Sequence, residues 1–229
     1  MVDVASAIAP FDQFGFCIVP DAFPARVLDD LTLSMEWISR EGAPGTRNLA
    51  NLLPAVARLA ESQEIAGLLA SLGLPGGFLV RSILFDKQAG ANWKVPWHQD
   101  LTIAVRERKE VAGFGPWSEK RGVPHVQPPV EILERMVTLR IHLDECDQDN
   151  GPLRVLPGSH RHGVLCAESI KRWRLEDSEV ICSAARGAVL AMRPLLLHAS
   201  SQAIRPRHRR VIHLEFEATE LSGGLEWKC

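Results

Sequence analysis

The chain has 229 residues, is 46% hydrophobic, and carries 26 basic against 28 acidic side chains. This balance argues against nucleic acid or an anionic membrane as the main partner, because both usually go with a basic excess. No run of about 18 uncharged apolar residues, no signal-peptide pattern and only five scattered cysteines occur, so we expect one cytoplasmic domain over residues 1–229 with reduced thiols.

The first part of the chain, to about residue 75, has helical periodicity. Apolar residues recur at helical spacing over 25–40, with Pro24 near the start and Gly42 just past the end. A second helix is predicted over 54–72, ended by Gly73.

From about residue 78 to 216 the pattern changes to strands. Residues 78–87 are rich in β-branched and aromatic side chains, and 136–143 alternate apolar with polar positions. Further short runs are predicted at 153–156, 180–183, 188–192, 195–199 and 210–216. Many short strands bounded by Gly, Pro or charged residues are typical of a sandwich or barrel.

Residues 106–129 interrupt this pattern with seven Gly and Pro residues mixed with charges. A loop of this length inside a compact domain is usually functional. We interpret it as a lid over a site, the alternative being a solvent-exposed loop without a catalytic role.

His98 and Asp100 are the first candidate metal ligands. In an extended segment, residues i and i+2 point to the same face, so the two side chains can reach one ion. Such a pair alone occurs often by chance. His198, after the apolar residues 195–197, would complete two histidines and a carboxylate, a facial triad that leaves sites open for a 2-oxo acid and dioxygen. A lone histidine on an apolar strand is nevertheless more often a core residue.

Arg209 lies eleven residues after His198 and starts another alternating segment. Its planar guanidinium group suits the distal carboxylate of a dicarboxylate. The neighbouring basic residues Arg205 and Arg207 are better explained as a solvated loop, with a nucleic-acid contact as the weakest alternative.

Three motifs in this order resemble the phytanoyl-CoA dioxygenase (PhyH) family of iron(II)/2-oxoglutarate oxygenases: FDKQAGANWKVPWHQDL (85–101), DQDNGPLRVLPGSHRHG (147–163) and LLLHASSQAIRPRHRRVIHLEF (195–216). The resemblance implies a mainly β fold with flanking helices, a double-stranded β-helix (jelly roll, cupin-like). It also implies that His98, Asp100 and His198 hold Fe(2+), and that Arg209 and Ser200 bind 2-oxoglutarate.

Arg140 and Arg81 occupy strand positions that line the cosubstrate pocket in relatives, so they are further candidates for 2-oxoglutarate binding. A surface location is the alternative for both. Arg140 could also bind a carboxylate of the substrate. Together with Arg193, these arginines suggest an anionic substrate.

The resemblance implies that Fe(2+), 2-oxoglutarate and O2 oxidise a small-molecule substrate, with release of succinate and CO2. Because Asp100 is retained, hydroxylation is favoured over halogenation, while desaturation, epoxidation or cyclisation stay open. Two rivals are a non-catalytic jelly-roll binding protein and a zinc or manganese cupin enzyme without a 2-oxo acid. The sequence predicts neither the substrate nor the oligomeric state.

Overall fold

The computed structural model describes residues 4–40 and 45–228. Most of its helices precede the first long strand: α1 Val4–Ile8, α2 Phe11–Phe14, α3 Ala25–Ser34, α4 Glu36–Arg40, α5 Leu49–Leu52, α6 Pro54–Ala60, α7 Gln63–Ser71, and later α8 Val130–Arg135 and α9 Ala167–Glu176, with 3-10 turns at Gln148–Asn150 and Ser159–His162. Within these ranges, none of the helices has the length and apolar character needed to cross a membrane.

The strands form three antiparallel sheets. Their bounds are β1 Phe16–Val19, β2 Gly45–Arg47, β3 Phe78–Lys87, β4 Val95–His98, β5 Ile103–Ala104, β6 Trp117–Lys120, β7 Val123–Val126, β8 Val137–His142, β9 Leu153–Val155, β10 Val180–Cys182, β11 Val189–Met192, β12 His198–Ser200 and β13 Arg209–Glu217. A six-stranded sheet (β1-β11-β8-β13-β3-β2) and a four-stranded sheet (β10-β9-β12-β4) make up the jelly roll, which confirms the predicted fold class. A small β5-β7-β6 sheet stands beside them.

The two predicted helices exist, but each is interrupted. The helix predicted over 25–40 breaks at Met35 between α3 and α4. The helix predicted over 54–72 breaks before Ser62, whose hydroxyl accepts from the Ile65 N–H at 3.3 Å and caps α7. At Ser62, this cap starts a new helix although the apolar pattern continues through it.

The prediction of a loop over 106–129 was wrong for its second half, where β6 and β7 form a hairpin. Arg121 and Gly122 connect them, with φ of 54° and 75°. Two consecutive positive φ angles match the right-handed twist of a tight hairpin. This turn is hard to predict because an arginine occupies the first of its left-handed positions. The strand predicted over 195–199 is also shorter, since the Leu196 N–H donates to Arg193 O at 3.0 Å in a turn.

The central strands of the six-stranded sheet have one apolar and one polar face. Apolar residues of β8 and β13, such as Leu139 and Leu214, pack with the helices in the main core. The opposite face of β8 carries polar residues, as its alternation predicts. All six residues of this strand are nevertheless buried. The polar face therefore points between the two sheets and produces a polar interior.

Leu139 is fully buried at the centre of this core, and we expect Leu139→Ala to lower the free energy of unfolding by about 2–5 kcal/mol, because it leaves a cavity. Leu175→Ala is the matched control, since Leu175 is 77% exposed, and should change stability by less than about 0.5 kcal/mol. Urea unfolding measures both. Equal effects of the two substitutions would contradict this core assignment.

His142 makes the fold sensitive to acid. Burial, followed by the charges of Arg140 and Arg209, lowers the pKa of His142 to about 3. The unfolded chain therefore binds a proton near pH 6.5 that the folded chain does not, so stability is present above that pH and is lost as the pH falls toward 3. We expect His142→Gln to reduce the loss of unfolding free energy between pH 7 and 4 by roughly 1–3 kcal/mol, measured by urea unfolding. Exposed His162→Gln should leave the pH profile unchanged, and an unaltered profile in His142→Gln would refute the assignment.

Candidate functional site

His98, Asp100 and His198 meet between the two sheets, as the sequence predicts. His98 ends β4 and His198 begins β12, and the antiparallel ladder places them directly opposite each other, with ring centroids 4.1 Å apart. The Nε2 atoms of His98 and His198 lie 3.7 and 3.6 Å from the two carboxylate oxygens of Asp100. These three ligand atoms lie within 4.8 Å of one another, a spacing that fits one metal ion.

Backbone carbonyls fix the histidines in the form that binds a metal. Nδ1 of His98 lies 2.9 Å from Pro96 O, and Nδ1 of His198 lies 2.8 Å from Leu196 O. Because a carbonyl only accepts, each Nδ1 carries the hydrogen and each Nε2 presents its lone pair to the centre of the triad.

The charges of the triad also suit a cation. Burial lowers the pKa of His198 to about 4, which keeps its ring neutral at neutral pH. For Asp100, burial would raise the pKa, but His198, His213, His98 and Arg81 outweigh it and lower the pKa to about 2. The group therefore offers the neutral imidazole of His198 and the carboxylate of Asp100 to a cation.

Gln99, between two of these residues, ties the ligand strand to its surroundings. Its amide donates to Leu195 O at 2.7 Å and to Gly163 O at 2.8 Å, and its oxygen accepts from the Leu165 N–H at 2.8 Å. The buried amide thereby positions the segment that carries His98 and Asp100.

A cavity of about 320 Å³ adjoins the triad. All four residues predicted to bind the cosubstrate line it: Arg209, Ser200, Arg140 and Arg81. The alternative that Arg140 and Arg81 lie on the surface is wrong, because both line this cavity. Arg193 does not reach it and was wrongly grouped with them, since its guanidinium contacts Asp12 at 3.2 Å and lies 4.6 Å from the Phe11 ring.

A row of polar contacts crosses the cavity floor. Arg140 donates to Nδ1 of His213 at 3.0 Å, His213 donates from Nε2 to Glu215 at 3.0 Å, and Glu215 pairs with Arg81 at 2.9 Å. The strand register accounts for this row, because Arg140 lies opposite His213 and Arg81 lies opposite Glu215.

This row also excludes a second possible metal group. Asp100, His213 and Glu215 likewise offer ligand atoms within 4.8 Å of one another. Both nitrogens of His213 are engaged, however, and Glu215 is neutralised by Arg81. His213 and Glu215 were not among the predicted site residues. The two-residue alternation of β13 nevertheless places both on the same face of the strand as Arg209.

Three buried cations lie close together: Arg209 and Arg140, which line the cavity, and Lys87, which lies behind its lining and interacts with both. Arg209 donates to Gly151 O, and Lys87 donates to the Ser200 hydroxyl at 3.2 Å. Burial and the charge of Arg209 lower the pKa of Lys87 to about 8.

Within the described ranges, none of these cations forms an ion pair with a carboxylate, and Nε of both arginines lacks a hydrogen-bond partner. Buried charges are costly unless they are paired. The cluster therefore fits an anionic ligand beside the triad.

Comparison with known proteins agrees with this arrangement. Residues 11–211 match the phytanoyl-CoA dioxygenase (PhyH) family. An ectoine dioxygenase of Sphingopyxis alaskensis is 23% identical in an alignment that covers 93% of this chain and 76% of that protein.

Several solved structures have a fold similar to that of this chain. EctD from S. alaskensis, determined with bound Fe, has a TM-score of 0.72 and 22% identity, covering 95% of this chain and 79% of that one. The carbocyclase SnoK from nogalamycin biosynthesis has a TM-score of 0.69 and 14% identity, covering 95% and 88%. The match over residues 11–211 spans most of the sequence, so the chain belongs to the phytanoyl-CoA dioxygenase (PhyH) family.

Proposed function

We propose that this protein is an Fe(2+)- and 2-oxoglutarate-dependent dioxygenase that hydroxylates a C–H bond of a small molecule, with release of succinate and CO2. The observation that carries the proposal is the triad beside a buried cation cluster that, within residues 4–40 and 45–228, forms no ion pair with a carboxylate. The iron, when bound, would couple O2 to the oxidative decarboxylation of 2-oxoglutarate and to oxidation of the substrate. EctD, which has a similar fold, has been determined with Fe and with 2-oxoglutarate and 5-hydroxyectoine.

In this proposal His98, Asp100 and His198 hold the metal through atoms that the fold already directs at one point. The carbonyls of Pro96 and Leu196 keep both rings in the required tautomer and orientation. Such outer contacts support metal affinity, because they reduce the freedom that the ligands lose on binding.

Arg209 would bind the distal carboxylate of 2-oxoglutarate, assisted by Ser200 and by Lys87, whose ammonium group donates to the Ser200 hydroxyl. Arg140 lines the same cavity, and its unpartnered Nε gives it a further donor toward the cosubstrate. Arg81 is better assigned to holding Glu215 than to 2-oxoglutarate, since its charge is already paired.

The β6–β7 hairpin would act as the lid predicted from the sequence. Lys120, the last residue of β6, lines the cavity, and its ammonium group donates to the Thr102 hydroxyl at 3.0 Å. A hairpin anchored in this way would limit the access of water to the reacting atoms.

The carboxylate ligand Asp100 favours hydroxylation over halogenation, but the same ligands serve other outcomes. SnoK is a carbocyclase, and SnoN, which also shares the fold, is an epimerase. The position of the substrate relative to the metal would decide among these outcomes, and cyclisation, desaturation or epoxidation is therefore the alternative.

Metal binding provides the first test. We expect His98→Ala and His198→Ala to weaken anaerobic Fe(2+) binding by more than about 100-fold, since loss of even an outer contact costs about 10–100-fold. His213→Ala is the informative comparison, because this histidine also lies beside Asp100, and it should retain binding within about 10-fold. Equilibrium dialysis measures all three. Loss of binding in His213→Ala with retention in His198→Ala would move the metal to the other group.

Cosubstrate binding provides the second test. Arg209→Met should raise the Kd of 2-oxoglutarate at least about 30-fold, because loss of a buried charged partner costs about 2–5 kcal/mol. The control is Arg207→Met, which removes only a surface pair with Asp147. Calorimetry gives Kd, and succinate release with Fe(2+) under reducing, aerobic conditions gives turnover. Binding without any 2-oxoglutarate consumption would favour a non-catalytic binding protein, and full activity of Arg209→Met would favour a cupin enzyme without a 2-oxo acid.

A further inference from the structure

A second cavity of about 540 Å³ adjoins the inner cavity. The two cavities are continuous, because they share lining residues. The lining of the second cavity also includes a cation that the inner cavity lacks, Arg121. We call this outer space the vestibule and define it by Arg47, Lys120, Arg121, Ile83, Phe85 and Trp93.

Arg47 enters the vestibule from β2, the edge strand of the six-stranded sheet. It lies opposite Ile83, which in turn lies opposite His213, so Arg47 continues the row that begins at Arg140. Among the described residues, its half-buried guanidinium has neither an ion-pair nor a hydrogen-bond partner. Burial, and then the charges of Arg81 and Arg121, lower the pKa of Arg47.

Lys120 reaches the same space from the β6–β7 hairpin. Its ammonium group donates to the neutral hydroxyl of Thr102 and forms no ion pair in the described ranges. Burial, and then the positive charges of Arg81 and Arg47, lower the pKa of Lys120, so Arg47 and Lys120 repel each other. The acidic groups that oppose this effect are Asp100 and Glu215, which are already committed to the triad and to Arg81.

Two aromatic side chains separate this cation pair from the cosubstrate cluster. Phe85 stands edge-on to His213 with centroids 5.5 Å apart, and the Trp93 ring lies 5.4 Å from the ammonium group of Lys87. Both rings line the inner cavity as well as the vestibule. They offer an apolar surface between the unpaired cations and the triad.

We propose that Arg47 and Lys120 bind the anionic group of the substrate, which is therefore an organic carboxylate, sulfate ester or phosphate ester with an apolar or planar body lying against Phe85 and Trp93. The inference rests on the proposed function for the identity of the reacting molecule. It reassigns the anionic-substrate prediction, which the sequence had attached to Arg81, Arg140 and Arg193.

The subsite is distinct from the one proposed for 2-oxoglutarate. Arg209 lies opposite Lys87 and Arg47 lies opposite Ile83, so their rows are four residues apart along β3. At about 3.3 Å per residue this is about 13 Å along the strand. Two anions can therefore occupy the two subsites together.

The test uses phenyl phosphate as the probe and phenol as its neutral counterpart, titrated calorimetrically into the full-length chain with and without saturating 2-oxoglutarate. We expect phenyl phosphate to bind at least 10-fold more tightly than phenol, with or without 2-oxoglutarate, and this preference to fall as NaCl is added. Arg47→Met and Lys120→Met should each weaken phenyl phosphate binding at least 5-fold, and the double variant should abolish the preference. Exposed Arg58→Met and Lys94→Met are the matched controls and should bind as the unaltered chain does.

Arg47→Lys and Lys120→Arg keep the charge and should retain the preference, which separates loss of charge from loss of folding. Equal binding of phenyl phosphate and phenol would overturn the inference. So would displacement of phenyl phosphate by 2-oxoglutarate together with its loss in Arg209→Met, since the probe would then occupy the cosubstrate cluster. If the unaltered chain fails to bind 2-oxoglutarate while phenyl phosphate binding still requires Arg47 and Lys120, the subsite stands and the proposed function falls.

Discussion

The site depends on one constraint, the two-residue alternation of β3, β8 and β13 within a single register. One face of β8 and β13 is apolar and is covered by the helices, so the opposite face carries its polar groups into the interior. A slip of one residue would exchange the faces and bring the polar groups into the apolar core. Burial of Leu139 and Leu214 thus fixes the positions of Arg140, His213 and Glu215.

The second sheet carries the two histidines of the triad, and hydrogen bonds hold their rings in position for a metal. His98 and His198 are cross-strand partners, and each ring is held by the carbonyl two residues earlier in the chain. Facing them, the cavity side of the first sheet carries several cations, and among its described residues the ion pair with a carboxylate is the one between Arg81 and Glu215. The polar interior therefore combines a place for a cation with places for anions, which is the electrostatic requirement of a metal, a dicarboxylate and an anionic substrate.

Sequence patterns identified the parts that are local. The strand over 78–87 and the alternation of β8 were predictable because side-chain periodicity is a short-range property. The interruptions at Met35 and Ser62 and the hairpin turn at Arg121 were missed, since capping and a left-handed arginine leave weak signals. Arg47 and Lys120 could not be found, because a three-residue edge strand has little periodicity and a hairpin reveals its neighbours only in three dimensions. The triad and Arg209 were predicted from the resemblance to the family. The contacts of His213 and Glu215, in contrast, depend on the register between strands that are distant in sequence.

The proposed function requires that this chain hold iron and 2-oxoglutarate next to each other. An anaerobic titration of the Fe(2+)-loaded protein with 2-oxoglutarate tests this requirement, because chelation of Fe(2+) by a 2-oxo acid produces a visible charge-transfer absorption that neither component shows alone. We expect this absorption to grow to saturation at one 2-oxoglutarate per chain. If the protein binds Fe(2+) but develops no such absorption at saturating 2-oxoglutarate, iron and 2-oxoglutarate do not share one site.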